Sequence, residues 1–176
     1  INNDPYEGAS HLPDIFLYKP MFVGDKLLAY LCAMTHHTDI GGRVPGGNAC
    51  DSTEIYQEGL RIPPLKLYER GEPNETMFRI LEKAVRVPDL VLGDLMGNIA
   101  ALNYGEQEYM KLVRRYGVED LGQYQNDLMD YTEELTRKTI RKWPDGSWSF
   151  TDYVDDDGFD PGPIKVVVNI TKKGDE

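Results

Sequence analysis

The sequence predicts an α+β fold, and three observations carry that prediction. Extended segments rich in β-branched and aromatic residues occupy residues 1–70, apolar residues recur at helical spacing over 74–142, and strand patterning returns over 143–176. The chain has 176 residues, 40% apolar and 28% charged, which is the length and composition of one well-cored domain. We therefore read 1–176 as a single segment: a sheet region, a helical region and C-terminal strands, in that order.

From the N-terminus, Asn2 to Pro13 is rich in turn formers and should be irregular. Ile15 to Tyr18 reads as a strand, Gly24-Asp25 marks a hairpin reversal, and Lys26 to Met34 reads as the partner strand, mostly buried. A second irregular stretch covers Thr35 to Ser52, with its glycines concentrated between Gly41 and Gly47. Glu54 to Tyr68 looks extended again, interrupted by Pro63-Pro64.

The period changes at Asn74, a plausible N-cap for a helix whose inner face is Met77, Phe78, Leu81, Ala84 and Val85. Asp89 is expected to cap a longer helix closed by Gly117, with Leu92, Leu95, Met96, Ile99, Leu102, Tyr109, Leu112, Val113 and Tyr116 inward. Leu121, Tyr124, Leu128, Tyr131 and Leu135, three and four apart, make a third helix that ends before Pro144. The Tyr and Met stripes of these helices are expected to be core. Trp148-Ser149-Phe150 and Ile164 to Ile170 are the closing strands.

Charge and cysteine content narrow the function classes. A net charge of −11 opposes nucleic-acid binding, which needs a basic face to displace phosphate counterions. Arg114-Arg115 and Arg137-Lys138 are diluted by acidic neighbours and read as solvated helix faces. No apolar run approaches the ~20 residues of a membrane span; the longest, Leu27 to Met34, is strand-sized. Cys32 and Cys50 give no disulfide framework, and with no signal peptide the expectation is a reducing cytoplasm. The chain opens at Ile1-Asn2-Asn3-Asp4-Pro5 without an initiator Met, a start that fits a natural domain or a piece of a longer chain alike.

All three histidines, His11, His36 and His37, lie in the two irregular stretches flanking the first hairpin. In two-residue-loop register about Gly24-Asp25, facing residues have numbers that sum to 49, which sets His36 opposite Pro13, between His11 and Asp14. His11, Asp14 and His36 are therefore expected at one end of a strand pair, with Asp39 three residues further on. Two imidazoles and a carboxylate leave positions open for water or substrate on Zn²⁺, Mn²⁺ or Fe²⁺, the mark of a catalytic rather than a structural metal. Cys32 lies on the same strand face as His36 but about 13 Å of rise away, a poor fourth ligand. The competing reading keeps the histidines as satisfied polar groups at strand ends.

Other motifs carry less. Gly41-Gly42-Arg43-Val44-Pro45-Gly46-Gly47 lacks the Gly-Lys-Ser/Thr ending of a phosphate-binding loop and reads as a tight turn beside the metal site. Glu58, before Gly59, is the candidate supporting or acid–base carboxylate. Asp51 and Glu58 would fall on opposite faces of an ideal strand. Asp155-Asp156-Asp157-Gly158 starts like a calcium loop, but Val166 stands where its last ligand should be, so it reads as a turn.

At Asn3-Asp4-Pro5-Tyr6-x-Gly8-x-Ser10-His11-Leu12-Pro13-Asp14, and again at His36-His37-Thr38-Asp39-Ile40-Gly41-Gly42, the chain resembles the B-type subunit of the hydantoinase/5-oxoprolinase family. The likeness continues through Pro45-Gly46, Gln57-Glu58-Gly59, Arg61-Ile62-Pro63-Pro64, Gly93-Asp94-Leu95, Gly105-Glu106, Arg115-Tyr116-Gly117 and Pro144-Asp145-Gly146, and departs at Asn98, where a glutamine is expected. The resemblance implies an internal segment of a longer B-type subunit in a hetero-oligomer with an A-type partner of actin/sugar-kinase-like fold that binds ATP. It implies ATP-dependent hydrolysis of a cyclic amide, hydantoin or 5-oxoproline, with ketone carboxylation as the alternative branch and a noncatalytic scaffold segment as the other alternative. In the carboxylase branch the pattern His-x-x-Asp with a later His holds a divalent metal, and it maps onto His11, Asp14 and His36. On this reading the partner phosphorylates the substrate, the metal site completes the reaction, Asp39 or His37 orients water or moves its proton, and Glu58 supports them.

Overall fold

The computed structural model describes residues 1–176, the side chain of Glu119 excepted. Two compact units divide the chain, Ile1–Lys111 and Leu112–Glu176, and each is described by itself.

The first unit is built on an antiparallel hairpin of β1 (Asp14–Val23) and β2 (Lys26–His36). Gly24 opens the two-residue loop with φ 59°, the left-handed conformation such loops require and glycine adopts without a Cβ penalty. The register near the loop is the expected one, with Val23 opposite Lys26 and Phe22 opposite Leu27. Met21 then faces Ala29, so Leu28 is an extra residue in a β-bulge, and every pair beyond it is displaced by one. His36 therefore stands opposite Asp14, not Pro13. Sequence periodicity does not reveal the bulge, because both Leu27 and Leu28 suit a strand.

The hairpin is amphipathic, which corrects the expectation of a mostly buried β2. Ile15, Leu17 and Met21 of β1 are buried, and Leu31 and Ala33 of β2 pack against the core, while Tyr18, Tyr30, Cys32 and Met34 face outward. The inward face meets α1 (Glu75–Ala84) and α2 (Pro88–Tyr116) in a core that includes Ile15, Leu17, Leu81, Val91, Leu95 and Leu102. Asn74 caps α1 as expected, its side-chain oxygen accepting from the Met77 N–H at 3.2 Å. Pro88, rather than a capping Asp89, opens α2, where the missing N–H costs nothing. Val91 is fully buried and Met96 exposed, so the inner stripe of α2 is rotated from the expected one.

Residues 37–67 are neither one extended segment nor a disordered loop. A short 3₁₀ turn at Pro45–Gly47 falls in the stretch expected to be irregular, another at Ile55–Gln57 breaks the extended run expected from Glu54, and a two-residue strand pair, β3 (Tyr68–Glu69) with β4 (Glu72–Pro73), follows. Asn3 ties the region together. Its side chain, 0% exposed, donates to the carbonyls of Leu12 at 2.7 Å and Leu60 at 2.9 Å and accepts from the Ile62 N–H at 2.6 Å. An amide is the side chain that donates twice and accepts at once, so three buried backbone groups are satisfied by one residue.

The second unit carries α3 (Val118–Arg141) and an antiparallel hairpin of β5 (Gly146–Val154) and β6 (Ile164–Lys172), in register from Gly146 opposite Lys172 to Val154 opposite Ile164. Both closing strands are where the sequence places them, and each is longer. The core expectation fails here: Leu121 is buried, but Tyr124, Leu128, Tyr131, Leu135 and Met129 are exposed, Leu128 at 63%. Helical periodicity announces a face that favours burial, not that anything in the unit covers it. Leu112 and Tyr116 are exposed for the same reason. The basic clusters are solvated as expected, Arg137 pairing with Glu133 and Lys138 with Glu134. Asp155 to Gly158 is a turn, with Asp157 accepting from the N–H groups of Phe159 and Asp160. No helix among the described residues is long and apolar enough to cross a membrane.

Candidate metal centre

The triad is assembled by backbone geometry before any side chain chooses a partner. Asp14 is the first residue of β1, and its N–H bonds back to the His11 carbonyl at 2.9 Å, closing a turn that brings the imidazole beside the carboxylate. The Asn3 bond to Leu12 holds that turn from behind. The ladder continues one step past β2, where the His37 N–H donates to the Pro13 carbonyl at 2.8 Å. The bulge at Leu28 supplies the rest. Without it Asp14 would face Thr35, and His36 would project from the opposite side of the sheet, since a one-residue slip reverses every side chain.

The resulting distances are short on every side. His11 Nε2 lies 3.1 Å from Asp14 Oδ1, His36 Nδ1 lies 3.0 Å from the same oxygen, and the two nitrogens are 3.2 Å apart. The rings stack with centroids 5.0 Å apart. Among the described residues this is the one group of three or more His, Cys, Asp or Glu side chains whose donor atoms lie close enough to share an ion. Cys32 is not part of it and is free and exposed.

Hydrogen bonds alone account poorly for such a triangle. An imidazole N–H points along one edge, and if both rings donate to Asp14, their two donor nitrogens face each other unfavourably. Lone pairs converging on a common ion meet no such conflict. Two atoms each about 2.1 Å from one ion stand roughly 3.0–3.4 Å apart for angles between square and tetrahedral, close to the edges seen here. The residues thus fit a divalent cation, with the Asp14 side chain nearly buried and both imidazoles open to solvent on one side.

The three other site candidates are placed differently. His37 is 0% exposed, and neither ring nitrogen has a hydrogen-bond partner in the protein. Burial holds its pKa below the ordinary histidine value, opposed in part by the negative charges of Asp94 and Asp14. Burial thus biases its imidazole toward the neutral form. Asp39 is not brought to the triad. At 1% exposure, it accepts from the Gly41 N–H at 3.0 Å and from the backbone N–H and guanidinium of Arg86 at 2.5 and 2.9 Å. A carboxylate so buried, with its oxygens so engaged, anchors the turn that follows the histidine pair. Arg86 also reaches the carbonyls of Gly41 and Gly42, so it clamps the turn that follows the histidine pair.

Glu58 is half-buried at the end of the second 3₁₀ turn, with its backbone close under the glycine-rich loop. A Cβ on Gly42 would stand 2.5 Å from the Glu58 carbonyl, and one on Gly47 3.2 Å from it and 3.4 Å from the Pro13 ring. The glycines thus let the loop pack between the Glu58 backbone and Pro13 of the turn that carries His11 and Asp14, while the Glu58 carboxylate is not part of the triad. Arg86 and Asp94 carried no role in the sequence reading. Asp94 stands in a motif that supports the resemblance, whereas nothing in the sequence marks Arg86 as a clamp. Asn98, the departure from the resemblance, donates from its side chain to the Thr35 hydroxyl and ties α2 to the strand beside His36.

Deleting Leu28 tests whether the bulge sets the site. The expected result is a chain that, in its folded fraction, holds no more than trace metal, measured by elemental analysis alongside circular dichroism. Full metal in a folded deletion variant would show that another register places His36.

Comparison with known proteins follows the same lines. The family model described as Hydantoinase B/oxoprolinase matches residues 1–176. A protein assigned as the B-type component of a D-/L-hydantoinase in Pseudomonas sp. strain NS671 is 35% identical over 178 residues, covering 99% of this chain and 30% of the relative. The crystal structure of the ATP-dependent caprolactamase from Pseudomonas jessenii superposes with a TM-score of 0.93 at 36% identity, covering 99% of this chain and 30% of that one. The nucleotide-free structure of an acetone carboxylase shares the fold, with a TM-score of 0.79 at 19% identity over 87% of this chain and 20% of that one. The chain therefore spans about 30% of the length of the first two.

Proposed function

The chain belongs to the hydantoinase B/oxoprolinase family, and from that premise we propose that it supplies the metal-centred part of an ATP-dependent cyclic-amide hydrolase. The observation that supports this reading most is the convergence of His11, Asp14 and His36 at one end of the hairpin, with one possible ligand atom of each within 4.8 Å of the others. On this proposal the three residues hold one divalent ion, Zn²⁺, Mn²⁺ or Fe²⁺, and the ATP is held by an A-type partner. The ion would supply Lewis acidity, activating water or polarising a carbonyl. Asp14, sunk into the hairpin end, and the two more exposed imidazoles would hold the ion where water and substrate could reach it. His37 contributes a neutral, buried support behind the ligand loop. Glu58 remains the candidate acid–base carboxylate, because its backbone lies under the glycine loop, which in turn packs on Pro13 of the turn bearing His11 and Asp14. Asp39 passes from that role to positioning.

The two relatives at 35% and 36% identity favour amide hydrolysis, one assigned as a hydantoinase component and the other a caprolactamase, whereas the acetone carboxylase likeness speaks to fold alone. The test is made on the full-length protein assembled with its ATP-binding partner. Stoichiometric metal and ATP-dependent ring opening of a hydantoin or lactam are expected. Bicarbonate-dependent ATP consumption with a ketone would move the protein to the carboxylase branch, and a metal-free, inactive assembly would leave a scaffold.

A further inference from the structure

The bulge that brings His36 onto the face of Asp14 decides which other residues share that face. Beyond Leu28 the pairs are Asp14 with His36, Phe16 with Met34, and Tyr18 with Cys32, and alternation sends all six side chains to the outer side of the hairpin. Phe16 and Met34 are thus one same-face step, about 7 Å, from the triad, roughly the reach of a carbonyl and the small ring that bears it. Met34 is exposed and Phe16 half-buried, and Phe16 stacks nearly parallel on Tyr18 with centroids 6.1 Å apart.

We propose that Phe16 and Met34 form the floor on which the substrate ring lies, and that the ring is neutral and largely hydrocarbon rather than one bearing a carboxylate. The proposal rests on the reading of the triad as the metal centre of a cyclic-amide hydrolase, and it assigns the substrate class of that site. An aromatic ring beside a thioether offers polarizable apolar surface and no directional polar partner, the lining expected where orientation comes from a few polar groups at one end. Those polar groups are the triad. Its neighbours on the face, Phe16, Tyr18, Cys32 and Met34 of the hairpin and Asn2 bridged to Phe16 at the other edge of β1, include no cation. A substrate carboxylate laid over this floor would be desolvated with no cationic side chain of the face to receive it, a cost that methylene groups do not incur. Lactams and apolar hydantoins therefore suit the face, and 5-oxoproline does not.

The experiment compares a neutral seven-membered lactam with 5-oxoproline on the assembled, full-length enzyme, in the wild type and in the Phe16→Ala and Met34→Ala variants, with metal measured in each. The wild type is expected to favour the neutral lactam in kcat/KM. Each variant should raise KM for that lactam about tenfold while keeping its metal, with the loss falling on KM more than on kcat. Met34 is exposed, so its truncation tests the floor even if Phe16→Ala folds poorly. Unchanged KM values in metal-loaded variants, or a wild type that favours 5-oxoproline, would overturn the substrate assignment and leave the metal site standing. A wild type without metal, or one that opens no cyclic amide, would instead overturn the function on which it rests.

Discussion

His36→Ala is expected to lower metal affinity by well over a hundredfold and to abolish turnover of the assembled enzyme, with little effect on folding. Two of the three edges of the triad end on His36 Nδ1, at 3.2 Å from His11 Nε2 and 3.0 Å from Asp14 Oδ1, so its removal leaves one imidazole and one carboxylate. Losing only an outer partner of a metal ligand typically costs about 10–100-fold, and a direct ligand costs more. The side chain is half exposed, so truncation opens no cavity in the core. His11→Ala should behave similarly. Cys32→Ser on the same strand face is the control: it lies outside the cluster and should retain full metal. Elemental analysis of the purified variants checks all three, and full metal in both histidine variants would remove the ligand assignment.

The convergence of His11, Asp14 and His36 was legible because it obeys local rules. A glycine-led two-residue loop fixes a hairpin, and a hairpin brings residues on either side of it to the same end. The last residue of offset was not legible, because Leu28 has the character of any strand residue and its place in the bulge depends on packing across the pair. The same contrast runs through the helices. Asn74, Gly117 and the spacing of apolar residues locate helix ends closely, since caps and periodicity are local. What the stripes meet is tertiary, and on α3 Tyr124, Leu128, Tyr131 and Leu135 meet solvent where a core was expected. Between residues 37 and 67 the chain follows single side-chain anchors such as Asn3, whose partners are carbonyls and N–H groups up to 59 residues away. No period records contacts of that kind.

Asp39→Ala is expected to destabilise the first unit by about 3–5 kcal/mol, because it removes one partner of a partly buried ion pair together with the carboxylate that accepts from two backbone N–H groups. The carboxylate is 1% exposed and receives the Gly41 N–H, the Arg86 N–H and the Arg86 guanidinium. In the alanine variant both backbone donors lose their partner, while the half-exposed guanidinium recovers some hydration and moderates the loss. For a chain of this size the shift corresponds to a fall in melting temperature of roughly 10 °C or more, read by calorimetry or circular dichroism. Asp39→Asn separates anchoring from chemistry. The amide keeps an acceptor oxygen but not the charge, so the variant should fold with a smaller loss, hold its metal and turn over in proportion to its folded fraction. A proton carrier would behave otherwise: a folded, metal-loaded Asp39→Asn enzyme without activity would return Asp39 to the role its sequence position suggests. The geometry predicts the first outcome, since burial keeps solvent from this carboxylate and its oxygens are engaged by the turn that follows the histidine pair.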